Sequence, residues 1–281
     1  MRCAVGIPNV GEYGDPLLIV ALAEAAEAAG WDGAFVWDHV AYREPGWPVA
    51  DPYVAVAAIA ARTERIRLGV LVSAVARRRP AKLARELASL DVLSGGRLVV
   101  GAGLGSQGEE EFAAFGEDPD PRVRAQKLDE GLAIVDGLWR GEPFAFAGEQ
   151  LRVDARLPFL PRPLQRPRPP VWIAGRWPAR RPFRRAARWD GVFPTFAEVP
   201  RDATAPPALV AEAVAFTRAA RGGPADAPFD VVIEGLSDGG PAPGLLAPYA
   251  DVGVTWWVER LGWFRGPLAA MRARIAAGPP A

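Results

Sequence analysis

The chain has 281 residues, half of them hydrophobic, so it can bury a large core as one big α/β domain or as two small ones. Its 33 basic and 33 acidic residues cancel, which leaves no electrostatic footprint for nucleic acid or for an anionic membrane surface. A lone cysteine, Cys3, excludes an intrachain disulfide and any multi-cysteine metal site.

Cys3–Ile7 reads as a short strand ended by Pro8. Asp15–Pro16 then supplies a helix start, with aspartate as N-cap and proline in the first turn. Leu18, Leu22, Ala25 and Ala29 fall at helical spacing, and Gly30 stands where a helix C-terminus favours glycine. Gly33–Trp37 is an apolar run bounded by glycine and by polar residues, the pattern of a buried parallel strand. Asp38 and His39 follow at its end, and a loop containing Trp47 comes next. Asp51–Pro52 repeats the helix start and opens a helix to about Ala61. Ile66–Val70 is a third strand; Pro80 precedes a helix over Ala81–Leu93, and Gly95–Gly96 turns the chain into a fourth strand, Arg97–Gly101.

A helix near Arg122–Trp139 is followed by a small hairpin, Phe144–Phe146 with Leu151–Val153, and by a proline-rich connector from Leu157 to Pro170. Strand–helix alternation then resumes. Val171–Ala174, Gly191–Pro194, Asp230–Glu234 and Val254–Val258 read as strands. Helices are expected at Ala179–Arg188, near Ala208–Arg221, around Leu245–Ala250 and over Pro267–Ala276. Eight strands each followed by a helix, in a chain near the roughly 250 residues usual for the fold, predict an α/β (β/α)₈ TIM barrel with a hairpin insertion before strand five. One domain over residues 1–281 is expected. No apolar run approaches the roughly 20 residues of a membrane span, and no signal-peptide core is seen, so a cytoplasmic protein is expected.

In barrels the face at the carboxyl ends of the strands carries ligands. His39, the only histidine, sits at such an end beside a carboxylate and an aromatic loop. One histidine and one cysteine cannot build an imidazole-rich metal site, so no metal is expected and a metal-dependent hydrolase fits poorly. Gly103 to Gly108 satisfies G-x-G-x-x-G before an acidic helical stretch, Glu109–Phe112. The motif follows the fourth strand instead of the first, and no further strand arrives for about 70 residues, which argues against a dinucleotide fold. It reads instead as a strand-end glycine loop leaving room for a flat ligand.

Several stretches together resemble the bacterial luciferase-like monooxygenase superfamily of flavin- and F420-dependent barrels. They are TERIRLGVLV from Thr63, RRRPAKLARELASLDVLSGGRLVVGAGLG from Arg77, LDEGLAIVDGLW from Leu128, RPPVWIAGRW from Arg168 and RRAARWDGVFP from Arg184. The resemblance, nearer the F420-using branch, implies an oxidoreductase with coenzyme F420, or alternatively FMN, bound across the C-terminal face. It implies Asp38 as a cofactor-binding residue and His39 as a catalytic one. Leu71 and Val72 match a bulge with a non-proline cis peptide against the ring, and Gly103 and Gly105 match ring-adjacent glycines. Ala174, Gly175 and Arg176 match a loop whose backbone N–H groups meet the cofactor phosphate. Trp47, assigned to catalysis with His39, would wall a pocket for a small-molecule substrate together with Phe193 and Trp177. A departure is Ser106, where the sugar-phosphate dehydrogenases of that branch carry a glutamate. Hydride transfer is the main expectation; FMN-dependent monooxygenation, or a catalytically idle flavin-binding barrel, are the alternatives. A homodimer through the helices at Pro52–Ala61 and Ala81–Leu93 is also expected.

Overall fold

A computed structural model describes residues 1–222, 227–238, 242 and 244–280. The strands are β1 Arg2–Ile7, β2 Gly33–Val36, β3 Arg67–Val70, β4 Ser73–Ala74, β5 Val100–Gly103, β6 Phe144–Ala147, β7 Arg152–Ala155, β8 Val171–Trp177, β9 Gly191–Phe196, β10 Asp230–Gly235 and β11 Trp256–Arg260. The helices are α1 Pro16–Ala28, α2 Pro52–Arg62, α3 Pro80–Leu93, α4 Gly108–Glu111, α5 Pro121–Trp139, α6 Arg180–Ala186, α7 Pro207–Arg221, α8 Ala247–Asp251 and α9 Leu268–Ala276.

The parallel strands run in the order β3-β2-β1-β11-β10-β9-β8-β5-β4. β3 and β4 are two pieces of one barrel strand, separated by Leu71–Val72. β3 pairs with β2, β4 pairs with β5, and a Leu68–Leu98 bridge joins β3 to the chain before β5, so the sheet closes. This is the eight-stranded barrel expected, with β6–β7 as the antiparallel insertion. The peptide between Leu71 and Val72 is cis, as the resemblance implied.

The helix starts follow local chemistry. Asp15, Asp51 and Asp120 each accept hydrogen bonds from backbone N–H groups of the first turn, with proline at the first helical position. Inside the barrel, Phe35, Trp172 and Trp256 meet at centroid separations of 5.3–6.0 Å, Phe35 edge-on to Trp256 and the other two pairs tilted, ringed by Ala4, Val99, Val232 and Val258. This plug fills the barrel's interior and leaves Leu71, Val72 and Ala174 at its margin. The proline-rich connector is bound to α3, where Asp91 accepts from the Gln165 amide nitrogen and backbone N–H at 2.6 and 2.9 Å.

The fourth barrel strand differs from expectation. Its ladder begins at Val100 and runs on through Gly103. Arg97 is held back by its own guanidinium, which donates to the carbonyls of Ala60, Thr63, Ile66 and Ser94. Among the described residues no helix is long and apolar enough to cross a membrane.

Candidate functional site

The carboxyl ends of the strands surround a cleft of about 790 Å³. Trp37, His39, Leu71, Val72, Gly103 and Gly105 line one side, and Ala174, Arg176, Phe193 and Phe196 the other. That size suits a single flat organic cofactor with part of a substrate.

His39 is fixed at both backbone and ring. Asn9, fully buried, donates from Nδ2 to the His39 carbonyl at 2.9 Å and to the Ala50 carbonyl at 2.8 Å, and its Oδ1 accepts from the His39 N–H at 3.3 Å. On the ring, Nδ1 lies 2.6 Å from Glu111 Oε1. A carboxylate accepts only, so Nδ1 carries the proton and Nε2 is left as the nitrogen able to accept one. The Gln107 amide stands 3.2 Å from the same Nδ1.

Glu111 is held in turn by Arg77, whose Nη1 donates to Oε2 at 2.9 Å. Nη2 of Arg77 donates to the Asp38 carbonyl at 2.8 Å and to Oδ1 at 2.7 Å. Arg78 donates to Oδ1 at 2.8 Å, and the Ala74 N–H fills Oδ2 at 2.9 Å. The result is a continuous chain, Asp38–Arg77–Glu111–His39, whose two carboxylates are balanced by Arg77 and Arg78 together while the imidazole is neutral. Burial opposes the charge on Asp38, but Arg78, Arg77 and the Ala74 N–H outweigh it and hold the carboxyl below the usual range.

Several sequence expectations move. Asp38 borders the cleft, yet its side chain is only 1% exposed and both oxygens are taken by protein partners. Its carboxylate therefore positions Arg77 and Arg78 instead of offering a free ligand for a cofactor. The arginines arrive directly after β4, and they decide which way Asp38 turns. Trp47 does not line the cleft. It stacks on Tyr42 at 5.5 Å with an interplanar angle of 10° and meets Trp263 edge-on at 4.8 Å, packing as a buttress behind His39. Trp177 packs on Phe183 and Phe216, away from the cleft, whereas Phe193 lines it.

Ala174, Gly175 and Arg176 are not a loop. They continue β8, paired with Phe193, Pro194 and Thr195 of an equally long β9. On the other edge the ladder to β5 stops at Ile173, so among the described residues β8 beyond it has no strand partner on that side. Arg176 is exposed to the cleft, and its side chain makes no hydrogen bond among the described residues. The glycines earn a packing explanation: a Cβ at Gly103 would meet Val72 at 2.9 Å, and at Gly105, with φ +76°, Ala74 and Phe112 at 2.9 Å. Gly175 backs onto Pro182 and Phe183 of α6. Gly103 to Gln107 lines the cleft edge and leads into α4, and among the described residues the sheets are the barrel and the β6–β7 hairpin.

Sequence reasoning missed Asn9, Arg77, Gln107 and Glu111 as site residues. Glu111 was visible only as the end of an acidic run, and Arg77 only as the start of an arginine run. No cluster of metal-ligating side chains occurs among the described residues.

Three comparisons bear on this cleft. A family model described as luciferase-like monooxygenase matches residues 8–236. The F420-dependent glucose-6-phosphate dehydrogenase of Gordonia bronchialis is 33% identical over 148 residues, covering 52% of this chain and 44% of that protein. The oxygenase component of the flavin-dependent trigonelline monooxygenase of Acinetobacter baylyi is 29% identical over 165 residues, 59% of this chain and 44% of that one. The chain thus spans about half the length of the curated relatives it matches. In fold it is similar to the coenzyme F420 dependent tetrahydromethanopterin reductase of Methanopyrus kandleri, with TM-score 0.75 and 16% identity over 99% of this chain and 98% of that one.

Proposed function

The chain belongs to the luciferase-like monooxygenase family, and on that premise we propose that it is an F420-dependent oxidoreductase acting on a small organic substrate. The observation that carries the reading is the oriented imidazole of His39, backed by Glu111 at 2.6 Å, at the edge of a cleft sized for a flat cofactor. A bound deazaflavin supplies hydride acceptance and donation; the protein supplies orientation and proton handling. The residues fit such a group. Leu71, Val72, Gly103 and Ala174 offer a smooth apolar seat for a ring. Arg176, with the unpaired edge of β8 beyond Ile173, offers donors for a phosphate.

His39 takes or returns the substrate's proton at Nε2, while Glu111 keeps the Nδ1 proton in place and faces the imidazolium that results. Trp37, Phe193 and Phe196 keep water from that edge. Asp38 acts through Arg77, holding Glu111 in line. An FMN-dependent monooxygenase is the second reading, favoured by the likeness to the trigonelline enzyme; His39 would then serve as base. The proposal extends to one domain over residues 1–281 and to a homodimer through α2 and α3, where Val54, Val92 and Leu93 are exposed. It places the protein in the cytoplasm, where a single unbridged cysteine is at home.

Titration of the purified protein with F420 and with FMN, followed by absorbance and fluorescence, tests the reading. Tight binding of F420 with weak binding of FMN supports it, the reverse supports the monooxygenase, and binding of neither rejects both.

A further inference from the structure

The β6–β7 hairpin closes a second cavity, outside the barrel sheet. Glu130 of α5 accepts from the backbone N–H groups of Glu149, Gln150 and Leu151 at 2.8, 3.0 and 2.7 Å, which pins the hairpin turn to that helix. Phe144 seats on Gly137 of α5, where a Cβ would collide with its ring. The gap left between the hairpin, α5 and the start of α3 measures about 450 Å³, within the range of small-molecule sites. It shares no lining residue with the cleft.

Its lining divides into an apolar part and a cationic part. Val75, Pro80 and Ile134 are buried, and Leu151 and Val153 of the hairpin complete the apolar wall. Arg78, Arg79, Lys127 and Arg152 stand against a single carboxylate, Glu117, which Lys127 already answers at 3.0 Å. Arg78 gives Nη2 to Asp38 at 2.8 Å, while its Nη1 has no hydrogen-bond partner among the described residues. Arg79 and Arg152 are exposed, and their side chains make no hydrogen bond or ion pair among the described residues. Four cations set against Glu117 and Asp38 leave an excess of two positive charges, in a chain whose formal charge is zero. A concavity lined by one sign of charge concentrates counter-ions, and guanidinium groups suit carboxylate and phosphate.

We propose that this cavity is a second ligand site, which takes a small organic anion. Its acidic head, a carboxylate or a phosphate, is shared by Arg79, Arg152 and the free Nη1 of Arg78. Its apolar body lies against Val75, Ile134 and Leu151, removing their surface from water. A neutral molecule of the same shape leaves the two unpaired arginines unanswered, and a bare inorganic anion leaves the apolar wall wet. The site stands apart from the reading of the cleft and needs no cofactor there.

The test follows four probes by ligand-observed NMR on the purified protein: benzoate, phenyl phosphate, inorganic phosphate and benzyl alcohol. Benzoate or phenyl phosphate should bind more tightly than the other two, and the tighter of the pair identifies the head group. Added salt should weaken that binding. Arg79→Ala and Arg152→Ala should each weaken it about tenfold, the scale of a hydrogen bond to a charged group. Both side chains are exposed, so the urea midpoint should not move in either variant. Arg176→Ala, in the cleft, should leave the affinity unchanged. A loss in Arg176→Ala that the other two variants do not show would put the anion in the cleft and overturn the site. Benzyl alcohol or inorganic phosphate binding as tightly as the organic anions, or no binding of any probe, also overturns it. None of these outcomes bears on F420, whose binding is titrated separately.

Discussion

Nδ1 of His39 lies 2.6 Å from Oε1 of Glu111, a carboxylate 72 positions further along the chain. The loop after β2 and the short helix after β5 meet above the end of the β3–β4 strand that lies between them in the barrel. The contact fixes the histidine's tautomer, and through Arg77 it ties that tautomer to Asp38. Which ring nitrogen is left able to accept a proton is therefore set by groups behind the imidazole.

Replacing His39 with asparagine should leave the fold intact, because asparagine retains the backbone contacts to Asn9. Turnover should fall by roughly 10²–10⁴-fold, the contribution of a positioned acid–base group. Equal turnover in mutant and wild type across pH 5–8, with unchanged cofactor affinity, would remove His39 from the mechanism.

Glu111→Gln keeps an oxygen within reach of Nδ1 but lets the amide nitrogen face the ring instead, as well as halving the Arg77 pair. We expect kcat to fall with KM little changed, by something on the order of 10²-fold. The pH–rate profile should shift along with it. A loss confined to KM, with an unaltered profile, would show that Glu111 only packs.

Asp38→Asn leaves Arg77 and Arg78 without their carboxylate in a buried setting. Breaking such a pair costs about 3–5 kcal/mol, which a urea denaturation series would register. The pH dependence has a definite sign. The folded carboxyl titrates below its usual range, so its stabilisation is complete above the unfolded aspartate value of about 4 and is lost as pH falls through the folded value. The gap between wild type and D38N should hold constant from neutral pH to near that point and then close.

Arg176→Ala should weaken F420 or FMN by about tenfold, the scale of a charge-assisted hydrogen bond to phosphate. Phosphate-free ring compounds, such as riboflavin, should bind mutant and wild type alike. Parallel losses for both ligand types would place Arg176 outside a phosphate subsite.

Light scattering should give twice the 30.0 kDa chain mass. Val54→Arg, on the exposed face of α2, should return the chain mass if that helix forms the contact. Retention of the larger mass in the variant would move the interface elsewhere.

What the sequence determined by itself was local. Aspartate–proline pairs set helix starts, apolar runs marked buried strands, and their alternation specified a closed barrel; each signal is read within about ten residues of chain. The strand-end position of His39 followed from the same pattern, and the family resemblance placed the Leu71–Val72 bulge. Only the tertiary structure decided the partners. That Asp38 and His39 face opposite ways was legible from strand geometry; which one meets the cleft was not. That choice belongs to Arg77 and Arg78, which reach Asp38 from 39 and 40 positions away, and to Glu111, which waits behind the imidazole. Trp47 was misplaced for the same reason. Its aromatic character was evident, but Tyr42 and Trp263 hold it against the back of the site. Such contacts depend on how barrel closure juxtaposes loops from different strands, and no local periodicity encodes that.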